Sequence, residues 1–186
     1  MPARHAKNEY AAENGHSFVF VLYEYIEAIV VAMVLLVILF TFCFRVAGVK
    51  GSSMEPNLAD GDRLILGVHF YEPEYGDIVV VKRYTQDPLI KRVIGVAGDT
   101  IRIDEKKGVV YRNDVELKEP YILDTTTPKE LTEEVTVPEG YIFVMGDNRG
   151  VSKDSRSVEI GMVDVNDFVG HAILRVWPLD KFGFLE

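Results

Sequence analysis

The sequence has a single cysteine, Cys43, which lies inside a long apolar run. One chain can therefore form neither a disulfide framework nor a cysteine metal site. Basic residues are in the minority, because residues 45–186 hold 18 Lys and Arg against 25 Asp and Glu, a net charge near −7. Nucleic-acid binding needs a basic face, so we expect no nucleic-acid partner. Nothing in the sequence calls for a metal or an organic cofactor.

After residue 45 the sequence also lacks any long stretch with the 3.6-residue period of a helix, which argues against nucleotide-binding βαβ folds. Short β-branched or aromatic runs such as "DIVVVKR" and "GYIFVMGD" take its place, separated by Asp, Gly, Pro and Asn. The pattern predicts a mostly β, antiparallel domain over 45–186, as a sandwich or a partly open barrel. We expect a hairpin turn at Asn113-Asp114 and an excursion from the main sheet near 103–140.

One long apolar run is present, "AIVVAMVLLVILFTFCF", in which seventeen residues from Ala28 to Phe44 carry no charge. As a helix it is about 26 Å long, close to a hydrocarbon core of about 30 Å. Extended back to Tyr25, it predicts one transmembrane helix over 25–44 that follows a short polar tail, 1–24. A buried core helix would show a polar face, and a cleaved secretory signal has a shorter apolar region behind a basic start.

Orientation in the membrane does not follow from the charges that flank the run. The positive-inside rule compares basic residues on its two sides. Basic residues flank the run on both sides, with Arg4 and Lys7 before it and Arg45, Lys50 and Arg63 after it, so the rule does not decide the orientation.

A candidate nucleophile lies soon after the apolar run, in "GSSMEPNL", residues 51–58. Pro56 restrains Glu55 to an extended conformation, and Gly51 permits close approach of another backbone. The stretch is therefore predicted to form an exposed, stiff turn. A Gly-Ser-Ser triplet alone is more typical of a linker, because a nucleophilic serine needs a base.

Two kinds of base are available in residues 45–186. The histidines, His69 and His171, lack the neighbouring signature of a hydrolase triad and fit ordinary strand or loop positions. Lys91, in "LIKRVIGVAGD", shares a strand face with Leu89 and Val93. Burial among apolar neighbours lowers the pKa of a lysine, and a neutral amine can take a proton from a serine hydroxyl. The alternative is a lysine whose stem lies along the sheet while its ammonium reaches the edge.

A third polar cluster is "GDNRGVSKDSR", residues 146–156. So many acids, amides, arginines and serines are typical of a loop whose polar groups satisfy one another in a buried setting. A solvated loop is the alternative. A calcium loop does not fit, since Arg149, Lys153 and Arg156 interrupt the acidic pattern and no closing Glu follows.

In this order, "GSSMEPNL", "DIVVVKR", "KRVIGVAGD" and "GDNRGVSKDSR" resemble the sequence boxes of bacterial type I signal peptidases of the single-anchor type. The resemblance runs from about Tyr25 to Pro178, and "VGHAILRVWP" is similar to the closing strand of that family. It implies an antiparallel β-sheet catalytic domain after one transmembrane helix. It also implies a membrane-bound serine endopeptidase that removes signal peptides from secretory preproteins after small residues, at Ala-x-Ala-like sites.

The resemblance assigns roles residue by residue. Ser53 is the nucleophile, whose own N–H is one oxyanion donor, Lys91 is the general base, and Ser152 orients that lysine. Asp154 and Arg156 form a supporting ion pair, while Asp147, Asn148 and Arg149 brace the loop. The substrate-binding candidates are Gly51, Ser52, Met54 and Pro56. The chain departs from the family at Gly51, where some relatives carry a second oxyanion donor, at Asn57 in place of Thr, and at Ala97 in place of Pro.

This reading places the tail in the cytoplasm and residues 45–186 outside the plasma membrane, where exported preproteins are cut. Membrane lipid is the second expected partner, and Phe42, Phe44 and Trp177 are candidates to touch it. Two other functions use similar features. Self-cleaving repressors carry a helical DNA-binding domain that this sequence lacks, and a membrane-anchored β module could bind peptides without cutting them.

Overall fold

The computed structural model of the chain describes residues 3–68, 71–83, 87–130 and 134–185, with side chains from residue 18 onward. His69, one of the two histidines considered as a base, lies outside these ranges. The chain divides into two compact units, 1–42 and 43–186.

The first unit is a long helix, α1, which spans Ala3–Cys43. Within it, Phe18–Cys43 is long and apolar enough to cross a membrane, with a mean hydropathy of 2.8 and none of its most apolar window buried by protein. An apolar surface all round a helix is typical of a segment that lipid covers. The span expected from the sequence, 25–44, lies within this stretch except for Phe44, which begins the first strand.

The second unit is built from antiparallel strands in two sheets. The larger sheet has the order β1-β2-β11-β3-β4-β9-β10, with β12 paired to β11, and the smaller has the order β7-β6-β5-β8. The mostly β, antiparallel fold expected from the sequence is therefore confirmed. The strands in the described residues are β1 Phe44–Gly48, β2 Arg63–Gly67, β3 Ile78–Val81, β4 Leu89–Gly95, β5 Thr100–Asp104, β6 Val109–Arg112, β7 Val115–Glu116, β8 Val135–Thr136, β9 Tyr141–Met145, β10 Val163–Asp164, β11 Phe168–Trp177 and β12 Gly183–Phe184.

The centre of the larger sheet is buried on both faces. Along β3, Ile78 and Val80 pack into one apolar cluster, and Val79 and Val81 pack into another. This alternation follows from the two-residue period of a strand. A strand covered on both faces is apolar throughout, which explains the unbroken "IVVV" of β3.

A third apolar cluster joins the smaller sheet to the larger one. Its buried members are Ile94, Ile101, Ile103, Val110, Val137, Phe143 and Met145, which come from both sheets. The smaller sheet occupies the region that the sequence marked as an excursion, near 103–140.

The expected hairpin at Asn113-Asp114 is confirmed. These two residues join β6 to β7 and have positive φ angles of 52° and 64°. Two consecutive left-handed residues are typical of a type I′ turn, whose twist matches that of the flanking strands.

The cluster between the two sheets predicts a stability difference between two substitutions in the smaller sheet. Ile101→Ala should lower the free energy of unfolding by about 2–5 kcal/mol, because it leaves a cavity in a buried site. Val115→Ala is the matched control, since its side chain is 67% exposed, and it should change stability by about 0.5 kcal/mol or less. Denaturant unfolding of the full chain in detergent measures both. Equal effects would contradict this packing.

Candidate active site

Ser53 and Lys91, which are 38 residues apart in the sequence, meet beside the part of β4 that β9 does not cover. The Lys91 Nζ donates to the Ser53 Oγ at 2.8 Å and to the carbonyl of Ile90 at 2.9 Å. Ser53 lies in the turn between β1 and β2, and Lys91 lies within β4. A hydroxyl in contact with an amine is the arrangement that serine activation requires.

The turn that carries Ser53 is held by its neighbours on both sides. Met54 and Leu58 are buried in the core, which anchors the turn from below. The N–H of Gly51, at a φ of +78°, donates to Asp60 at 2.7 Å, and the N–H of Asn148 donates to the Ser53 carbonyl at 3.0 Å. The serine is therefore fixed by packing and by backbone hydrogen bonds.

Lys91 is only 3% exposed, so its amine is buried and does not extend to the sheet edge. Burial lowers the pKa of Lys91 to about 8, against the opposing attraction of Asp154 and Asp147; the positive charge of Lys129 lowers it further. A lysine with this pKa is partly neutral near physiological pH. It can then accept a proton from the hydroxyl beside it.

Most polar side chains of the loop 146–156 are buried, with Lys153 as the exposed exception, so the solvated alternative is wrong. Asp154 and Arg156 form a two-pronged ion pair with both N–O distances at 2.8 Å, and both side chains are 0% exposed. Burial alone would raise the pKa of the Asp154 carboxyl, but the hydrogen bonds and charge of Arg156 and the N–H of Gly146 hold it below its usual value. Among the described residues no cluster of metal-ligating side chains is present.

A second buried ion pair joins β4 to the same loop. The Arg92 guanidinium donates to the two oxygens of Asp147 at 2.9 and 2.8 Å. The Asn57 amide also donates to Asp147, at 2.8 Å, and to the Tyr121 carbonyl at 2.7 Å. Asn57, a departure from the family pattern, thus ties the serine turn to the buried loop.

Ser152 lies next to Ser53 in the packing. A Cβ added to Gly146 would collide with both the Ser152 Oγ and the Ser53 carbonyl, so the three residues are in close contact. The Ser152 hydroxyl is buried, and none of the described hydrogen bonds joins it to Lys91; it lies close to the Asp154 carboxylate, whose pKa it helps to lower. A bond to Lys91 is thus not formed in this geometry, and the orienting role of Ser152 stays a prediction.

The segment between β7 and β8 supplies contacts that sequence reasoning missed. The Arg149 guanidinium donates to Glu119 at 3.0 Å and also to the Thr126 hydroxyl. Arg156 donates to the Thr127 carbonyl at 2.7 Å, and the Lys129 ammonium donates to the Ser152 carbonyl. The one available signal was that a buried arginine needs an acidic partner, but nothing local to the loop identifies Glu119.

His171 does not reach the serine. Its ring stacks on Tyr71 with the ring centres 3.8 Å apart. In the sheet it pairs with Val79, which in turn pairs with Lys91. His171 is therefore two strands away from Lys91, about 10 Å between backbones.

A cleft of about 360 Å³ opens beside Ser53 and Lys91. Its apolar lining includes Ala47, Val49, Met54, Leu66, Val80 and Ile90. Of the substrate-binding candidates, Met54 lines this cleft, while Gly51, Ser52 and Pro56 are on the exposed side of the turn. A serine held against a buried amine, beside an apolar cleft, has the groups that a serine hydrolase needs for its chemistry.

Comparison with known proteins identifies the family. Residues 22–177 match the family model described as signal peptidase, peptidase S26. Signal peptidase IB of Staphylococcus aureus (strain MRSA252) is 35% identical over 182 residues, which cover 88% of this chain and 93% of that protein. Probable signal peptidase I-1 of Synechocystis sp. (strain ATCC 27184 / PCC 6803 / Kazusa) is 37% identical over 174 residues, or 87% of this chain and 86% of that one. A signal peptidase I crystal structure from Enterococcus faecalis V583 is 29% identical, with a TM-score of 0.44, and it covers 54% of this chain and 97% of that one.

The chain belongs to the signal peptidase family, peptidase S26. It is accordingly a serine endopeptidase that acts on the signal peptides of preproteins. Family membership and the single apolar helix indicate that it is anchored in a membrane. The family inferred from the four sequence boxes is thus confirmed.

The packing around Gly146 predicts that this position tolerates only glycine. Gly146→Ala should reduce precursor cleavage about 100-fold or more, because the new methyl group must displace Ser53 or Ser152. Gly150→Ala is the matched control in the same loop, since a Cβ there meets only the Asn148 side chain at 4.0 Å. Cleavage assays are paired with thermal unfolding of both variants. Wild-type activity of Gly146→Ala would contradict the close contact.

Proposed function

We propose that Ser53 attacks the scissile carbonyl of the preprotein and that Lys91 is its general base. The observation that carries this proposal is the 2.8 Å contact between the Lys91 Nζ and the Ser53 Oγ, made by an amine that is almost completely buried. No other described lysine or histidine shares both features. The buried Arg149 guanidinium also contacts a hydroxyl, that of Thr126, but an arginine stays protonated and cannot act as a base. The alternative of a module that binds peptides without cutting them gives no reason to bury an amine against a hydroxyl.

The reaction runs in two halves. As the Ser53 Oγ bonds to the carbonyl carbon, its proton passes to Lys91. The carbon–nitrogen bond then breaks, Lys91 gives its proton to the leaving amine, and an acyl-enzyme remains. In the second half Lys91 takes a proton from water, the hydroxide attacks the ester, and the proton returns to the Ser53 oxygen as the ester breaks.

The oxyanion of each tetrahedral intermediate needs a hydrogen-bond donor. We assign the backbone N–H of Ser53, which donates no hydrogen bond within the described residues and is therefore available. Gly51 carries no hydroxyl, so the second donor that some relatives have at this position is not used here.

The substrate binds as an extended strand. β1 is the last strand of its sheet, and β4 pairs with β9 only from Arg92 onward. Leu89, Ile90 and Lys91 pair with β3 on one side, while their other edge borders the cleft and has no strand among the described pairings. A peptide added here can hydrogen-bond to backbone on either side. The first and third residues before the cut point the same way, so both enter the apolar cleft, which suits Ala-x-Ala-like sites.

The proposed topology places the amino-terminal tail in the cytoplasm and residues 45–186 outside the cell membrane. Signal peptides arrive with their apolar segment in the bilayer and are cut on the outer side. Ser53 follows the end of α1 at Cys43 within about ten residues, a reach of at most about 35 Å. Phe42, Phe44 and Trp177 are all exposed to solvent and remain our candidates for contact with lipid.

The proposed catalytic pair of Ser53 and Lys91, here called the dyad, predicts which hydroxyl and which amine are essential for cleavage. Ser53→Ala should lower kcat for precursor cleavage on the order of 10⁴-fold or more, and Lys91→Ala on the order of 10³-fold. Ser52→Ala is the matched control, because it removes the neighbouring exposed hydroxyl, and it should keep a wild-type kcat with any change confined to KM. The assay uses the full chain in detergent. A Lys91→Ala variant with wild-type kcat would overturn the mechanism.

The pKa of Lys91 predicts how activity depends on pH. Because the neutral amine is the active form, kcat/KM should fall about tenfold per pH unit below the pKa of about 8 and level off above it. Rates measured from pH 6 to 10 with one precursor test this. A profile without an inflection near pH 8 would contradict the assignment of Lys91 as the base.

A further inference from the structure

Lys129 is a second lysine beside the proposed dyad. It lies in the segment that joins β7 to β8, is half-buried, and its ammonium donates to the Ser152 carbonyl. Sequence reasoning gave it no role. A lysine that turns inward to bind a backbone carbonyl gives up hydration of its charge, so the contact needs an explanation.

The position of Lys129 is set by the buried contacts of the same segment. The Thr126 hydroxyl accepts from Arg149, and the Thr127 carbonyl accepts from Arg156 at 2.7 Å. Both arginines are fully buried. Lys129 follows these two anchored residues directly after Pro128, which restricts the backbone between them.

The charges that face Lys91 explain what a second ammonium does there. Two carboxylates face it, Asp154 and Asp147, and each forms an ion pair with its own guanidinium, that of Arg156 or of Arg92. Lys129 faces it as well, and it forms no ion pair among the described residues. Its positive charge therefore stays uncompensated by a carboxylate.

We propose that Lys129 is a positioning residue for the dyad: its ammonium fixes the carbonyl of Ser152 and adds a positive charge next to the Lys91 amine. This inference rests on the proposed Ser53–Lys91 mechanism. Two like charges repel in a site of low dielectric, so Lys129 favours the neutral form of Lys91, which is the form that accepts the serine proton. The same contact holds Ser152 against Gly146 and Ser53.

The test is the pH dependence of precursor cleavage in the full chain with substitutions at Lys129. Lys129→Met removes the charge, so the acid limb of kcat/KM should move to higher pH by on the order of half a unit, while the plateau changes less. At pH 7 this corresponds to a loss of about threefold. Lys129→Glu should move the limb further in the same direction, and Lys129→Arg, which keeps the charge, should keep the wild-type inflection.

Lys153→Met is the matched control. Lys153 is on the loop that holds Ser152, but its side chain is 69% exposed and pairs with Glu159 at 3.1 Å. Lys153→Met removes one positive charge from this region but no contact with the Ser152 carbonyl, so its pH profile should match that of wild type. Thermal unfolding of every variant reports whether it is folded.

Each outcome has a defined meaning. If the Lys129 variants lose rate equally at every pH, with no shift of the acid limb, Lys129 is only a structural contact and the proposal is overturned. An equal shift of the acid limb in Lys153→Met would also overturn it. An inactive Lys91→Ala beside unshifted Lys129 variants would overturn this inference alone. Full activity in Lys91→Ala would overturn the proposed function together with it.

Discussion

The contact on which the site depends is that of an almost fully buried amine, Lys91, with a serine hydroxyl. A charged amine is costly to bury, so such a site tends to neutralise it unless an acid compensates its charge. Asp147 and Asp154 lie close enough to do so. Each is also held by its own arginine, Arg92 or Arg156, so the carboxylates oppose the lowering of the Lys91 pKa without outweighing the effect of burial.

This arrangement explains why a single loop carries so many charges in a buried setting. A buried ion pair is weak support for stability, because desolvation of the two ions offsets much of their attraction. Removing one partner is nevertheless severe, because the other charge is left uncompensated. The pairs Asp154–Arg156 and Arg149–Glu119 therefore act by fixing the geometry of the loop, and the segment between β7 and β8 closes over it.

The cleft follows from where strand pairing stops. β9 joins β4 only from Arg92 onward, where Arg92 pairs with Met145, so the first residues of β4 keep an unpaired edge beside the serine turn. An unpaired edge invites another strand, and here it lies above an apolar floor that includes Met54 and Ile90. In the proposed mechanism, the same gap in the sheet provides both access to Ser53 and a backbone template for a peptide.

The sequence by itself determined the local features of this protein. The apolar run, the two-residue period of the strands and the Asn113-Asp114 turn are encoded by neighbouring residues, because helix, strand and turn preferences act over a few positions. The family boxes pointed to Ser53, Lys91 and the loop 146–156 by resemblance.

Only the tertiary structure decided which side chains meet. Lys91 reaches a serine 38 residues away, and Arg149 finds Glu119 at a separation of 30. Lys129 and Asn57 join the site through contacts that no local pattern marks. Such pairings depend on strand order and on burial, and burial is also what lowers the pKa of Lys91, so the reactivity of that amine belongs to the fold and not to its own stretch of sequence.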